Sequence, residues 1–135
     1  MAKVLVAEDD LMIADFLEEI LIEAGHTVCG IARTVGEAAA MATAHRPDLA
    51  VFDLCLAQGG RGTDIRARVT GGDRIGILFA SGNIDAIKLT GADGDASIRK
   101  PYFGRDVVRA LEIVQERLRG HPASPPIPVG VQLLA

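Results

Sequence analysis

Leu49-Ala50-Val51-Phe52-Asp53 is an apolar run that ends abruptly in a carboxylate, and it narrows what the chain can fold into. Short apolar runs bounded by polar or turn residues read as strands buried on both faces, the mark of a parallel sheet covered by helices on each side. The last side chain of such a strand emerges at the carboxyl edge of the sheet, where open α/β sheets bind their ligands. Asp53 is therefore a candidate site residue, and what other strand ends place beside it decides its chemistry.

The rest of the chain supplies those strand ends. Lys3 to Ala7 is apolar and β-compatible and stops at Glu8-Asp9-Asp10. Leu11 to Ala24 then carries Ile13, Phe16, Leu17, Ile20, Leu21 and Ala24 at the spacing of an amphipathic helix. Gly25 predicts a left-handed cap. Thr27 to Ala32 reads as a second strand, and Thr34 to Glu37 as a capping box opening an Ala-rich helix to about His45. After the Asp53 strand come a Gly-rich loop from Gly59 to Gly62 and a short helix from about Thr63 to Val69. A fourth strand from Ile75 to Ala80 ends at Ser81. Between Asn83 and Asp95 the glycines predict only a short or frayed helix. Ala96 to Arg99 is a brief fifth strand before Lys100-Pro101, and Arg105 to Arg119 a clear amphipathic helix. Strand–helix alternation of this kind predicts parallel strands joined by right-handed crossovers.

Composition removes several classes of function. With 135 residues, about half of them apolar and a net charge of −4, the chain is long enough for one full core and has no basic patch for nucleic acid. One Tyr, four Phe and no Trp argue against base-stacking platforms. Cys29 and Cys55 lack any paired Cys or His spacing, so they read as free thiols in a reducing compartment. His26, His45 and His121 have no ligand spacing and read as surface residues. No signal peptide or membrane span is evident, which predicts a cytoplasmic protein. Residues 1–119 form the expected domain. Residues 120–135, with four prolines between positions 122 and 128 and no Lys, Arg, Asp or Glu, read as a flexible Pro-rich tail.

If the sheet is doubly wound, the first and third strands are neighbours across a crevice, and Glu8, Asp9 and Asp53 crowd together there. Like charges so close repel unless a cation is present. A hard divalent ion with oxygen ligands resolves the conflict, and Mg²⁺ is the usual choice where a phosphoryl group supplies further oxygens. Ser81 adds a hydroxyl for a phosphoryl oxygen and Lys100 a compact positive charge. Asp53 is the natural nucleophile of such a site, since a carboxylate can attack phosphorus to give an aspartyl phosphate. Asp10 reads instead as the cap of the first helix.

The order and spacing of Val4 to Asp10, Pro47 to Asp53, Ala80-Ser81-Gly82 and Lys100-Pro101 resemble the response-regulator receiver domains of bacterial two-component signalling, over about residues 3 to 119. The resemblance implies a flavodoxin-like sheet of five parallel strands in the order 2-1-3-4-5 with helices on both faces. It implies that Asp53 takes phosphate from a histidine kinase or phosphotransfer protein. Asp9, Asp53 and the backbone carbonyl of Cys55 would bind Mg²⁺ directly, with Glu8 acting through water. Ser81 and Lys100 would contact the phosphoryl group, and the Lys100-Pro101 bond would be cis. Such a protein is a phosphoacceptor rather than an enzyme, a monomer or weak dimer, with a downstream protein as its output because residues after Arg119 are too few for a further domain.

The chain departs from the common receiver pattern at two places. Ser97 stands where receivers commonly carry an aromatic switch residue, and the loop from Leu54 to Gly62 lacks the usual Pro and is longer by one residue. Phe79-Ala80-Ser81-Gly82 and Lys100-Pro101-Tyr102 are similar to the FAT GUY subgroup, often stand-alone and associated with HWE-type kinases. Two other readings stay open at this point. A pseudo-receiver would bind partners without phosphorylation, and a phosphohydrolase of the haloacid-dehalogenase kind would use the same strand-end Asp but needs an acid where Cys55 stands.

Overall fold

The computed structural model describes residues 2–69, 74–82 and 88–135. Its elements are β1 (Lys3–Ala7), α1 (Leu11–Glu23), β2 (Thr27–Ala32), α2 (Val35–His45), β3 (Leu49–Asp53), α3 (Ile65–Arg68), β4 (Gly76–Ser81), β5 (Ala96–Arg99), α4 (Gly104–Leu118) and β6 (Val131–Leu133). Two single 3₁₀ turns, Ala57–Gly59 and Gly62–Asp64, link β3 to α3. The strands form one sheet in the order β2-β1-β3-β4-β5-β6. The first five pair in parallel and β6 joins β5 antiparallel. The doubly wound α/β architecture and the order of its first five strands are those the sequence predicts, with a sixth strand added.

Alternation along the strands divides the core in two. Val4, Val6, Leu49, Val51, Leu78, Ala80 and Ile98 pack with Leu17 and Leu21 of α1 and Val107, Leu111 and Val114 of α4. On the other face Leu5, Ala7, Ala50, Phe52, Ile77 and Phe79 meet Val35, Ala38 and Ala42 of α2 and Ile65 of α3. Every residue of β3 and β4 is buried, so these two strands are the rigid centre from which Asp53 and Ser81 project.

The helix ends follow their local chemistry. Asp10 caps α1, its Oδ1 accepting from the Met12 and Ile13 amides at 3.0 and 3.3 Å. Thr34 caps α2 by accepting from the Glu37 amide at 3.1 Å, and the Glu37 carboxylate accepts in return from the Arg33 amide at 2.9 Å. Gly25 follows α1 with φ +93°, the left-handed conformation that glycine adopts without a side-chain clash.

Three expectations need correction or limitation. The helix predicted between Asn83 and Asp95 falls partly on residues 83–87, outside the described residues. Residues 88–95 form no helix and turn at 91–93, with the Asp93 and Gly94 amides donating to the Thr90 carbonyl. Second, residues 120–135 are not a free tail throughout, because β6 pairs with the edge of β5 and buries Val131, and Leu134 just after it is buried too. The prolines hide this pairing, since the strand follows them and spans only three residues. Burying an aliphatic side chain gains about 1.5–3 kcal/mol, against roughly 1–2 kcal/mol per residue of backbone ordering, so β6 is held by a small margin. Among the described residues no helix is long and apolar enough to cross a membrane.

The third correction is His26, which is buried rather than on the surface, its Nδ1 accepting from the Ala2 amide at 3.1 Å. Burial lowers its pKa below the ordinary 6.5, opposed by Glu112. The unfolded chain therefore binds the His26 proton more readily, so the stability contributed by neutral His26 is present above pH 6.5 and lost as the pH falls. Urea unfolding of wild type and His26→Gln side by side is expected to show wild type losing stability relative to the variant as the pH drops from about 7 to about 5, with a flat difference above that range.

Candidate functional site

The carboxyl ends of β1 and β3 are adjacent in the sheet, with Ala7 in register with Phe52. The residues that follow, Glu8 and Asp9 after β1 and Asp53 at the tip of β3, are thereby delivered to one crevice. Their carboxylates can bring oxygens within 4.8 Å of one another. Glu8 and Asp53 are buried and Asp9 half-buried. Asp10, next in sequence, points away into its cap, so the acidic triplet divides into site and scaffold.

Among the described residues, one cation answers this cluster. Lys100, just past β5, reaches over the strand ends with Nζ 2.8 Å from Glu8 Oε1 and 2.9 Å from Asp53 Oδ2. The Lys100–Pro101 bond is cis. The second Asp53 oxygen accepts from the Cys55 amide at 3.1 Å, and Glu8 Oε2 accepts from the Asp10 amide at 3.2 Å. The charge balance is still short on the positive side. Glu8 is pushed up to about 7, first by burial and then by sharing a hydrogen bond with Asp53, with Lys100 only partly offsetting both. Burial would lower the Lys100 pKa, but its bonds to Glu8 and Asp53 outweigh that and raise it.

Ser81 is buried at the tip of β4, and its carbonyl accepts from the Lys100 amide at 3.0 Å. Cys55 has an exposed side chain and directs its backbone into the site. The loop behind Asp53 closes on itself. Cys55 and Arg61 form an antiparallel bridge, the Leu56 amide donates to Gly60, and the Gly62 amide donates to Leu54. Gly62 approaches so closely that a Cβ there would lie 2.3 Å from the Asp53 carbonyl oxygen. Tyr102 was missed as a site neighbour. It lines an apolar groove with Ile13, Phe16, Gly82, Lys100 and Pro101, its hydroxyl is buried without a partner among the described residues, and burial raises its pKa to about 12. The Lys100-Pro101-Tyr102 run was the signal the sequence offered.

No protein-family model matches the chain. A CheY-like response-regulator receiver domain from Methanospirillum hungatei superposes with a TM-score of 0.75 at 26% identity, covering 89% of this chain and 98% of that one. The transcriptional regulatory protein PdtaR of Mycobacterium tuberculosis is 31% identical over 121 residues, covering 87% of this chain and 58% of that protein. The chain is a response-regulator receiver domain.

The anti-anti-sigma factor PhyR from Bartonella quintana superposes with a TM-score of 0.70 at 32% identity, over 88% of this receiver and 48% of that chain. The phyllosphere-induced regulator PhyR of Methylorubrum extorquens is 41% identical over 63 residues, 46% of this chain and 24% of that protein. The receiver thus spans about half the length of PdtaR and less of PhyR. Its place is in two-component signalling, and all the residues singled out from the sequence as site residues lie at the carboxyl edge of its sheet.

Gly62 makes the loop behind Asp53 a packing problem as well as a chemical one. Gly62→Ala is expected to destabilise the receiver by about 1–3 kcal/mol, the usual cost of forcing a methyl group into filled space. Urea titration of the variant against Gly36→Ala, where a Cβ meets only Thr34 Oγ1 at 4.0 Å, measures that cost free of the general effect of replacing glycine.

Proposed function

We propose that Asp53 is a phosphoryl acceptor that takes phosphate from a histidine kinase or phosphotransfer protein in a Mg²⁺-dependent reaction, and that the phosphorylated receiver signals by contact with a downstream protein. The observation carrying this reading is the Lys100 ammonium held between Glu8 and Asp53 at 2.8 and 2.9 Å. A lysine so placed reaches both the acidic cluster and the atom to be phosphorylated.

The donor set fits Mg²⁺. Glu8, Asp9 and Asp53 offer hard oxygens within 4.8 Å of one another, the donor type and spacing that a hard divalent ion takes. Asp9, Asp53 and the Cys55 carbonyl would hold the ion directly, with Glu8 reaching it through water. Mg²⁺ bound there supplies charge compensation for the phosphoryl oxygens. A carboxylate oxygen of Asp53 attacks phosphorus, the bond from phosphorus to the donor nitrogen breaks, and the electron pair leaves on the donor imidazole. Lys100 and the Ser81 hydroxyl hold the phosphoryl oxygens in place afterwards.

The donor would approach over a surface suited to a protein. Leu11 and Met12 at the start of α1, Phe16 beside the groove and Phe103 after Pro101 are all exposed, and each belongs to a segment bordering Lys100 or the acidic cluster. The receiver acts as an acceptor and not as a general phosphohydrolase, since Cys55 occupies the place where such an enzyme needs a second acid.

Incubation with acetyl phosphate and Mg²⁺ tests the reading. Wild type is expected to take up one acid-labile phosphoryl group per chain. Asp53→Asn and wild type in excess chelator should lose roughly 100-fold or more of the labelling rate, as when a nucleophile or its electrostatic partner is removed. Undiminished labelling of Asp53→Asn would overturn the assignment.

A further inference from the structure

Residue 97 lies beside the acceptor strand's neighbour, and its side chain is small. Ser97 pairs with Phe79 across β4 and β5 and with Gln132 across β5 and β6. It is 1% exposed, and its hydroxyl has no hydrogen-bond partner among the described residues. On the same face of the sheet Leu134, diagonal to Ser97, enters the core layer that contains Phe79 and Ile77. A side chain from the end of the chain thus fills the layer that residue 97 leaves thin.

The strand carrying Leu134 is tied at both ends to the path leading from the site. At one end the Arg99 amide donates to the Gly130 carbonyl at 3.0 Å, one residue from Lys100, whose own amide donates to Ser81. At the other the Leu134 amide donates to Asp95, the Gly91 amide to Ala135, and the Arg117 guanidinium bridges the Asp95 and Leu134 carbonyls at 2.6 and 2.8 Å. Residues 88–95, which follow β4 towards β5, are therefore fastened to the same strand.

We propose that β6 is a releasable latch whose docking on β5 reports the state of Asp53. The inference rests on the reading of Asp53 as phosphoacceptor. Sheet order gives the direction. Asp53 lies on β3, two strands inward of β5, while β6 lies outside β5. Drawing the Ser81 hydroxyl toward a phosphoryl group on Asp53 pulls the Ser81 carbonyl inward, and the Lys100 amide bonded to it follows. The tip of β5 moves away from Gly130. A three-residue edge strand with one buried apolar anchor and a second just past its end has little to resist this, and low-stability elements are the ones that open locally. Its release leaves the hydrogen-bonding edge of β5 open to an extended segment of a partner.

Amide hydrogen exchange on the full chain, with and without Mg²⁺ and beryllium fluoride as the phosphoryl mimic, tests the latch. Exchange at the Arg99 and Leu134 amides is expected to quicken about tenfold or more when the mimic binds, while amides of β1 and β3 keep their protection. Because coupling between sites is reciprocal, Leu134→Ala should loosen the same amides without the mimic and bind beryllium fluoride severalfold more tightly. If the mimic binds wild type and both amides stay protected, or if Leu134→Ala loosens the strand with unchanged affinity for the mimic, the latch is wrong and the acceptor assignment stands. Failure of wild type to bind the mimic at all overturns the acceptor reading, and the latch with it.

Discussion

The Lys100 ammonium, shared between Glu8 and Asp53 at 2.8 and 2.9 Å, is the interaction on which the functional end of this molecule depends. The sheet forces it. Parallel pairing of β1 with β3 brings three carboxylates to one crevice, and two of them are buried. Buried like charges are costly, and the core beneath must offset what one lysine cannot. It does so with β3 and β4, fully buried and packed by helices on both faces. The displaced titration of Glu8 is the residue of that conflict. Electrostatic tension here belongs to the site, because it sets up a place where added positive charge is well received.

Most of the sheet was legible because its signals are local. Buried parallel strands read as unbroken apolar runs, and Leu49 to Asp53 and Ile77 to Ala80 are such runs. Caps read as single residues at fixed offsets, which is how Asp10, Thr34 and Gly25 declared α1 and α2. The site followed from these, since once strand ends are known the topology assigns neighbours. Asp10 shows how fine the distinction is. It differs from Asp9 by one position, and only the turn of the backbone into α1 sends it to a cap instead of the crevice.

What escaped the sequence is non-local. His26 looked like a surface residue, because nothing in its own stretch says that the Ala2 amide will close over it. β6 was hidden by composition, since a segment rich in proline and without charge reads as extended and free. Its pairing is decided by an unfilled edge on β5 and by an Arg117 side chain 17 residues away in the chain. The loop from Leu54 to Gly62 was seen to depart from the common pattern, but not that Gly62 would be pressed against the Asp53 carbonyl. In each case the determining contact joins residues that no periodicity relates.

The absence of an aromatic at position 97 changes meaning once β6 is in place. Taken alone, Ser97 suggests a receiver with a missing part. In the sheet, Ser97 sits between Phe79 on one side and Gln132 on the other, and Leu134 completes the apolar layer on that face. A large ring at position 97 would compete with Leu134 for this layer, so the small residue and the sixth strand are physically compatible where the large residue and the strand are not. The bulk that many receivers place on β5 is here carried on a separate, weakly held strand. A rotating side chain can report a change only over its own reach. A strand fastened at Gly130 and again at Leu134 spans the width of the β5 edge, so the proposed inward shift at Ser81 would be spread over several hydrogen bonds at once.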